Sequence, residues 1–244
     1  MAQVDNVLLH IPHASLYLPT DQLGDLLVPY SRVKAEALAK ADLYCDELFD
    51  IDSVQKITAK YSRLICDVER FPDDTMEPMA QKGQGVFYTR FDDGTVFRES
   101  MLRSKVKEEI YDVYHQKFTD VVNRMLDRYG RCLIIDCHSF SLPGEQPDVC
   151  IGADDFHTPP EMAESALTFT RRKGYTANLN SPYSGSIVPL EHYGKTHNVF
   201  SIMIELNRCL YLTTDYRKSE NFGITKSLCR ELFEILISHF TLNS

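Results

Sequence analysis

A short apolar run at residues 132–135 is the feature that most constrains the fold of this chain. It is rich in strand-forming residues and follows a helix-like segment, which is the pattern of a strand buried on both faces of a mostly parallel sheet. Asp136, His138 and Ser139 then break the apolar run. Because ligands bind at the carboxyl ends of strands in open α/β sheets, these side chains predict a functional site. The alternative is a structural role, with His138 satisfied in the core and Asp136 capping a turn.

Two other apolar runs predict strands that also lead into polar residues. The run at residues 7–11 is followed by Pro12 and His13, and the proline ends the strand so that His13 lies at its carboxyl end. The run at residues 199–204 leads into Glu205 and Arg208. Residues 57–61 and 64–68 predict two short strands or one bent strand, and residues 149–152 predict another strand. Helices are predicted at residues 30–49, 100–129, 160–173 and 221–242, and long loops at residues 71–94 and 177–193. This order predicts an α/β fold with a mostly parallel sheet.

Length and composition predict one globular domain over residues 1–244. The 244 residues are 43% hydrophobic and 25% charged, and no linker-like segment divides them. The net charge of −9 and the dispersed basic residues argue against a nucleic-acid partner. No apolar run reaches membrane-spanning length, and the first residues lack the features of a signal peptide. We therefore expect a cytoplasmic protein with no membrane partner, whose oligomeric state the sequence does not predict.

The seven cysteines are odd in number, include no CxxC pair and lie mostly in apolar patterns. They predict buried thiols in a reducing compartment rather than a disulfide framework.

His13, His138 and Glu205 come from the ends of three predicted strands. Two histidines and a carboxylate can bind zinc and leave a coordination position for water. The metal lowers the pKa of that water, so that a carboxylate can take its proton at neutral pH. Glu205 is the candidate general base, and either Asp42 or Asp136 is the third ligand or orients a ligand. Asp42 lies on the predicted helix at residues 30–49, where a solvated helix face is the alternative.

Arg63 and Arg70 suit the recognition of substrate carboxylates, because a guanidinium group can bind both carboxylate oxygens. The alternative is an internal network in which these arginines pair with Asp67 and Glu69. His115 lies beside the apolar stripe of the predicted helix at residues 100–129, a position typical of packing. The polar loop at residues 177–193 either contacts substrate or is a solvent-facing turn.

Nucleophilic catalysis is disfavoured by strand geometry. Ser139 stands beside His138, but adjacent residues of a strand point to opposite faces and no GxSxG motif is present. The same geometry argues against Cys137 as a nucleophile.

Five short motifs in this order resemble the N-formylglutamate amidohydrolase family over nearly the whole chain. They are PHAS at 12–15, SRLICDVER at 62–70, DCHS at 136–139, NSPYSG at 180–185 and IELNRCLY at 204–211. The resemblance implies a phosphorylase/hydrolase-like, zinc-carboxypeptidase-like three-layer α/β/α sandwich. It also implies one zinc ion, hydrolysis of N-formyl-L-glutamate or a related N-acyl amino acid, and a role in histidine degradation.

The residues that match the family's motifs take their expected roles from this resemblance. The zinc ligands are then His13, Asp42 and His138, and the general base is Glu205. Arg63, Arg70 and Arg208 bind substrate carboxylates or brace the site. The resemblance places Asn180, Tyr183, Ser184 and His115 in the substrate pocket.

The sequence departs from the family at three places in the expected pocket. Ala14-Ser15 replaces Ser-Gly, Glu69 replaces an asparagine, and a Gly-Gly pair is changed at residues 184–186. These changes leave the hydrolytic chemistry as the expectation and put the specificity for formylglutamate in question. Two alternatives remain, namely a metallopeptidase acting on peptides or cell-wall fragments and a non-catalytic binding module that keeps the fold.

Overall fold

The computed structural model describes residues 4–242, which form two compact units. Of the described residues, the sheet unit comprises residues 4–11, 44–57 and 119–242. The loop unit comprises Pro12–Leu43 and Thr58–Phe118.

The strands form one six-stranded mixed sheet. In chain order they are β1 (Val7–Ile11), β2 (Gln55–Thr58), β3 (Cys132–Phe140), β4 (Val149–Gly152), β5 (Ala177–Leu179) and β6 (Val199–Asn207). Their spatial order is β2-β1-β3-β6-β4-β5. The β1–β3, β3–β6 and β4–β5 pairs are parallel, and the β4–β6 pair is antiparallel. The predicted mostly parallel sheet is therefore confirmed, as are the strands at residues 7–11 and 149–152.

The two central strands, β3 and β6, are longer than their apolar runs predict. They pair along all nine residues, and every residue of β3 is buried. The strand does not end at Ile135, because the backbone ladder with β6 continues past the polar residues. Asp136 and His138 consequently lie within β3, two residues apart and on the same face. Glu205 likewise lies within β6 rather than after it.

The α-helices, in chain order, are α1 (Thr20–Leu23), α2 (Tyr30–Lys40), α3 (Cys45–Leu48), α4 (Arg103–Val106), α5 (Asp112–Tyr129), α6 (Pro160–Arg172) and α7 (Phe222–Leu242). In the sheet unit, α6 packs against α7, β4 and β5. The predicted helices at 160–173 and 221–242 are confirmed to within one residue. A π-helical turn at Lys107–Tyr111 connects α4 to α5, so the predicted helix at 100–129 starts later and is not α-helical throughout.

The predicted helix at residues 30–49 is interrupted before Asp42. Ala41 is extended, with φ −70° and ψ 143°, and ends α2. The backbone N–H of Asp42 donates to the carbonyl oxygen of His13 at 2.9 Å. Asp42 therefore lies between α2 and α3 rather than on a helix, contrary to the prediction.

Residues 64–68 are not a strand, contrary to the prediction. The buried guanidinium of Arg98 donates to the carbonyl oxygens of Leu64 and Ile65, and these carbonyls are not in a sheet ladder. The strand predicted at residues 57–61 is β2, which begins two residues earlier and ends three residues earlier. The loop at 71–94 is confirmed apart from a 3₁₀ turn at Pro78–Lys82, and the loop at 177–193 begins with β5.

All seven cysteines are free thiols, and six are buried as predicted, whereas Cys209 is exposed. Among residues 4–242, no helix combines the length and the apolar character that a membrane crossing requires.

Gly152 in β4 provides a test of the packing in the sheet unit. A Cβ atom there would overlap the carbonyl oxygen of Gly185 and the side chain of Met203. We expect Gly152→Ala to lower the free energy of unfolding by about 2 kcal/mol. The added methyl group would overlap the backbone of Gly185, and moving this backbone aside costs stability. Urea denaturation measures the change. The control is Gly223→Ala in α7, where nothing lies within 4 Å and stability should be equal or higher. Equal stability of the two variants would contradict this account.

Candidate active site

In the loop unit, the ring of His13 is surrounded by carboxylates. The side chain is only 3% exposed, and its Nε2 lies 2.8 Å from Oδ1 of Asp67. The other ring nitrogen, Nδ1, lies 3.4 Å from Oε2 of Glu69 and 3.7 Å from Oδ2 of Asp42. The hydrogen bond from the backbone N–H of Asp42 to the carbonyl oxygen of His13 holds this arrangement. His13 and Asp42, which the sequence predicts as ligands, are therefore neighbours in this unit.

Asp67 is the centre of the hydrogen-bond network in the loop unit and is fully buried. Its Oδ2 accepts from Nη2 of Arg63 at 2.8 Å and from the hydroxyl of Tyr88 at 2.9 Å. Nε of Arg70 lies 3.3 Å from the same oxygen, and the backbone N–H of Glu69 donates to Oδ1 at 3.2 Å. A buried carboxylate with this many donors is compensated for the loss of water.

Electrostatics keep Asp67 ionised. Burial raises the pKa of this carboxyl, but the charges of Arg63, His13 and Arg70 outweigh burial and place the pKa well below its usual range. Burial and the Arg63 charge lower the pKa of His13, but Asp67 and Glu69 raise it to a net value above the usual one. Because an ionised carboxylate only accepts hydrogen bonds, Nε2 of His13 carries the proton in this pair.

The contacts of Arg63 and Arg70 are those of the internal ion-pair network, with Asp67 as their common partner. Their binding of a substrate stays a prediction. His115, near the start of α5, has its Nε2 2.7 Å from the carbonyl oxygen of Val68. Its ring packs on Tyr111 with the centroids 4.2 Å apart. In the loop unit His115 therefore braces the segment that carries Asp67 and the two arginines.

In the sheet unit, Asp136 binds two histidines at once. Its Oδ1 lies 2.7 Å from Nδ1 of His10 and 2.9 Å from Nε2 of His138, and its Oδ2 accepts the backbone N–H of Ile187 at 3.3 Å. Burial raises the pKa of Asp136, but His138 and His10 lower it by more, so the pKa lies below its usual range. As in the loop unit, an ionised carboxylate orients a histidine through Nε2.

Glu205 lies on β6 directly beside His138 on β3, because the two residues are partners in the parallel register. In-register residues of neighbouring strands point to the same face of a sheet. Glu205 is 7% exposed. The sheet unit thus brings together two of the predicted catalytic residues, His138 and Glu205.

Arg208 follows β6 and is buried against the end of β3. Its Nε lies 3.3 Å from Oγ of Ser139, and its Nη2 lies 3.4 Å from the carbonyl oxygen of Ser139. Oδ1 of Asn180 accepts from the backbone N–H groups of Ala153 at 2.8 Å and Gly185 at 3.3 Å. Both predicted pocket residues therefore also brace the backbone.

Tyr183 and Ser184 lie on the exposed part of the loop after β5. The ring of Tyr183 makes an edge contact with Phe140 at the end of β3, with the centroids 5.8 Å apart. Ser184 is exposed. The part of this loop at Ile187 is tied to Asp136, so the loop is anchored to β3 at two places.

His10 and Tyr88 are the contributors that the sequence prediction missed. His10 lies inside the apolar run at residues 7–11, which predicts only a strand, yet it shares Asp136 with His138. Pairing of β1 with β3 places His10 opposite Asp136, so the contact could be predicted only from the register of these two strands. Nothing in the local sequence around Tyr88 indicates its bond to Asp67.

The donor chemistry of both units fits zinc. Imidazole nitrogen and carboxylate oxygen are its usual ligands besides thiolate. A metal-binding histidine usually donates its second ring N–H to a carboxylate or carbonyl oxygen, and this fixes its orientation. His13 and His138 each make such a bond through Nε2.

Comparisons with known proteins agree with the resemblance seen in the motifs. The family model described as N-formylglutamate amidohydrolase matches residues 5–212. The N-formylglutamate deformylase of Pseudomonas putida is 26% identical over 253 residues, covering 95% of this chain and 92% of that protein.

Two crystal structures share the fold. That of N-formylglutamate amidohydrolase from Ralstonia eutropha JMP134 has a TM-score of 0.80 at 21% identity, covering 96% of this chain and 93% of the other. A gene product of Agrobacterium tumefaciens has a TM-score of 0.67 at 19% identity, with 98% and 90% coverage. The predicted fold class, a three-layer α/β/α sandwich with a mostly parallel mixed sheet, is confirmed.

Replacing Asp67 tests the network in the loop unit. We expect Asp67→Asn to lower the free energy of unfolding by about 3–5 kcal/mol near pH 6, because buried partners lose their common carboxylate. The folded-state pKa of Asp67 is depressed, so its contribution is complete above about pH 4 and is lost as the pH falls further. The raised pKa of His13 adds a contribution that is present below about pH 6.5 and is lost as the pH rises through its folded-state pKa. The difference from the native chain should therefore be largest between about pH 4 and 6.5.

Urea denaturation across this pH range measures that difference. The matched control is Asp93→Asn, which removes an exposed ion pair with Arg32 and should change stability little at any pH. A difference for Asp67→Asn that is as large at pH 3 as at pH 6 would contradict the network described here.

Proposed function

The chain belongs to the N-formylglutamate amidohydrolase family, and on that premise we propose that it is a zinc-dependent hydrolase of an amide bond in a small N-acyl amino acid. N-Formyl-L-glutamate or a related compound is the substrate class. The family match over residues 5–212 supports one such domain over residues 1–244. A cytoplasmic location and a role in histidine degradation stay predictions from the sequence.

In this proposal, His13, Asp42 and His138 are the ligands of one zinc ion. The observation that carries it is the pair of buried carboxylate–histidine contacts, Asp67 with His13 and Asp136 with His138. Both contacts engage Nε2, and so both point to Nδ1 as the ligand atom. The chain also runs from the last residue of β1 to His13 through Pro12 alone. Asp136, the alternative third ligand, has the role of orienting His138.

A bound zinc ion would polarise the acyl carbonyl and lower the pKa of the attacking water. Glu205 takes a proton at its carboxylate from the attacking water as the water oxygen bonds to the acyl carbon, and it passes this proton to the amine nitrogen as the carbon–nitrogen bond breaks. Its place beside His138 on the same face of the sheet supports this role. Asp136 keeps the His138 ring from rotating while the substrate is bound.

The substrate is held by the arginines and the loop after β5. Arg63 and Arg70 each have five N–H donors, of which Asp67 and Tyr88 take only some. The remaining donors bind a substrate carboxylate, and Arg208 does so from the sheet unit. Tyr183 and Ser184 line the pocket. Asn180 and His115 support it through the backbone contacts that they make.

The Glu205→Gln variant tests the proposed mechanism. Dialysed native protein should contain about one zinc per chain and hydrolyse at least one member of an N-acyl amino acid panel. Glu205→Gln should keep its metal and lose activity about a hundredfold or more, because the amide cannot accept the proton. Metal analysis and kcat/KM on the same preparations give both results.

Glu145→Gln, at an exposed position in the loop after β3, is the control and should change neither quantity. Loss of metal from Glu205→Gln would make Glu205 a ligand and overturn its role as base. Cleavage of peptides with no response to formylglutamate would indicate a metallopeptidase. Neither bound metal nor hydrolysis would indicate a binding module.

A further inference from the structure

Arg98 is a buried arginine of the loop unit whose charge has no carboxylate partner. Its side chain is fully buried, and among residues 4–242 no carboxylate forms an ion pair with it. Burial consequently lowers the pKa of the guanidinium. Backbone carbonyl oxygens accept its hydrogen bonds, and its guanidinium carbon lies 3.6 Å from the ring centroid of Phe87. Because a buried charge without an opposite charge is costly, these contacts must compensate for it.

We infer that Arg98 is a positioning residue of the proposed site, which holds Asp67 and Tyr88 together and thereby fixes the ring of His13. The part of the inference that concerns zinc rests on the proposed function. The part that concerns the His13 ring does not, because every contact in it is observed within the loop unit.

The guanidinium of Arg98 joins two segments of the loop unit. Its Nη2 donates to the carbonyl oxygens of Leu64 at 2.5 Å and Ile65 at 3.0 Å, in the turn that precedes Asp67. Its Nε donates to the carbonyl oxygen of Tyr88 at 2.6 Å. A guanidinium is planar and rigid, whereas the ammonium of lysine is a point charge on a flexible stem. The fork of Arg98 therefore sets the distance between this turn and Tyr88.

These two segments carry the groups that meet at Asp67. The hydroxyl of Tyr88 donates to Oδ2 of Asp67 at 2.9 Å, while Oδ1 lies 2.8 Å from Nε2 of His13. The backbone N–H of Asp67 donates to the carbonyl oxygen of Val86, also at 2.9 Å. Asp67 is thus bound to the segment of Tyr88 through both its backbone and its side chain. A displacement of either segment changes the direction of the carboxylate and, with it, the orientation of the His13 ring.

A purely structural role for Arg98 makes a different prediction. In that case the loss of its hydrogen bonds lowers the free energy of unfolding and leaves the contact between Asp67 and His13 as it is. A positioning role changes that contact, and the zinc affinity, in protein that is still folded. Measurements on folded variants therefore separate the two roles.

Arg98→Lys keeps the positive charge and loses the fork. The proton on Nε2 of His13 is observed by proton NMR of metal-free protein, and its signal is assigned by its absence from His13→Asn. We expect the signal in Arg98→Lys to move upfield or to be lost to exchange with water, because the hydrogen bond to Asp67 lengthens. Zinc affinity, measured by competition with a chelator under conditions where the variant is folded, should fall about tenfold or more.

Arg131→Lys is the matched control in the sheet unit. Arg131 also donates to a backbone carbonyl oxygen, that of Phe240, and its guanidinium carbon lies 4.3 Å from the centroid of the Phe240 ring. The same substitution there should leave both the His13 signal and the zinc affinity as they are in the native chain.

An unchanged His13 signal in folded Arg98→Lys would overturn the inference, even with a large loss of stability. A changed signal with native zinc affinity would overturn the role of Arg98 at the zinc site. If Arg98→Lys does not fold, Tyr88→Phe decides, because it keeps the carbonyl that binds Arg98 and removes only the hydroxyl at Asp67. A moved signal in that variant supports the inference, and an unchanged one overturns it. The signal is measured without metal, so it tests the inference even if the native chain binds no zinc and the proposed function fails.

Discussion

The proposed chemistry depends on a buried carboxylate that accepts a hydrogen bond from Nε2 of a histidine. This contact occurs once in each unit, between Asp67 and His13 and between Asp136 and His138. An ionised carboxylate accepts but does not donate, so Nε2 carries a proton, and whenever the ring is neutral its lone pair lies on Nδ1. In the proposed site a zinc ion would bind that lone pair, and the carboxylate would fix the direction in which it points. Two segments that are distant in the chain thus present the same ring nitrogen, Nδ1, as the proposed ligand atom.

Each carboxylate needs compensation for its burial, and the surrounding residues supply it in different ways. Arg63 and Arg70 neutralise Asp67 in the loop unit, so these arginines have a structural role whether or not substrate is present. In the sheet unit, His10 and a backbone N–H bind Asp136. Removing one partner from such a network leaves an uncompensated buried charge, which costs more than the pair contributes. Orientation of the ligands and stability of the fold are therefore coupled in both units.

The sequence predicts local features of this fold well and long-range ones poorly. The apolar runs predict β1 and β4, but they underestimate β3 and β6, whose pairing continues through polar residues. The helix-like pattern around Asp42 conceals a break that depends on a bond to His13, 29 positions earlier in the chain. The contact of His10 with Asp136 depends on the register of two strands. The motif resemblance predicted the family and the fold class, which periodicity alone does not predict, because the motifs combine segments that are distant in the sequence.

The most direct test of the central claim is anomalous X-ray scattering at the zinc absorption edge from crystals of the zinc-loaded protein. We expect one peak at about 2.0–2.1 Å from Nδ1 of both His13 and His138, with a carboxylate oxygen of Asp42 as a further ligand. Nε2 of each histidine should remain bonded to Asp67 or Asp136. A peak bound through Nε2 of either histidine, or one that lies away from His13, would contradict it.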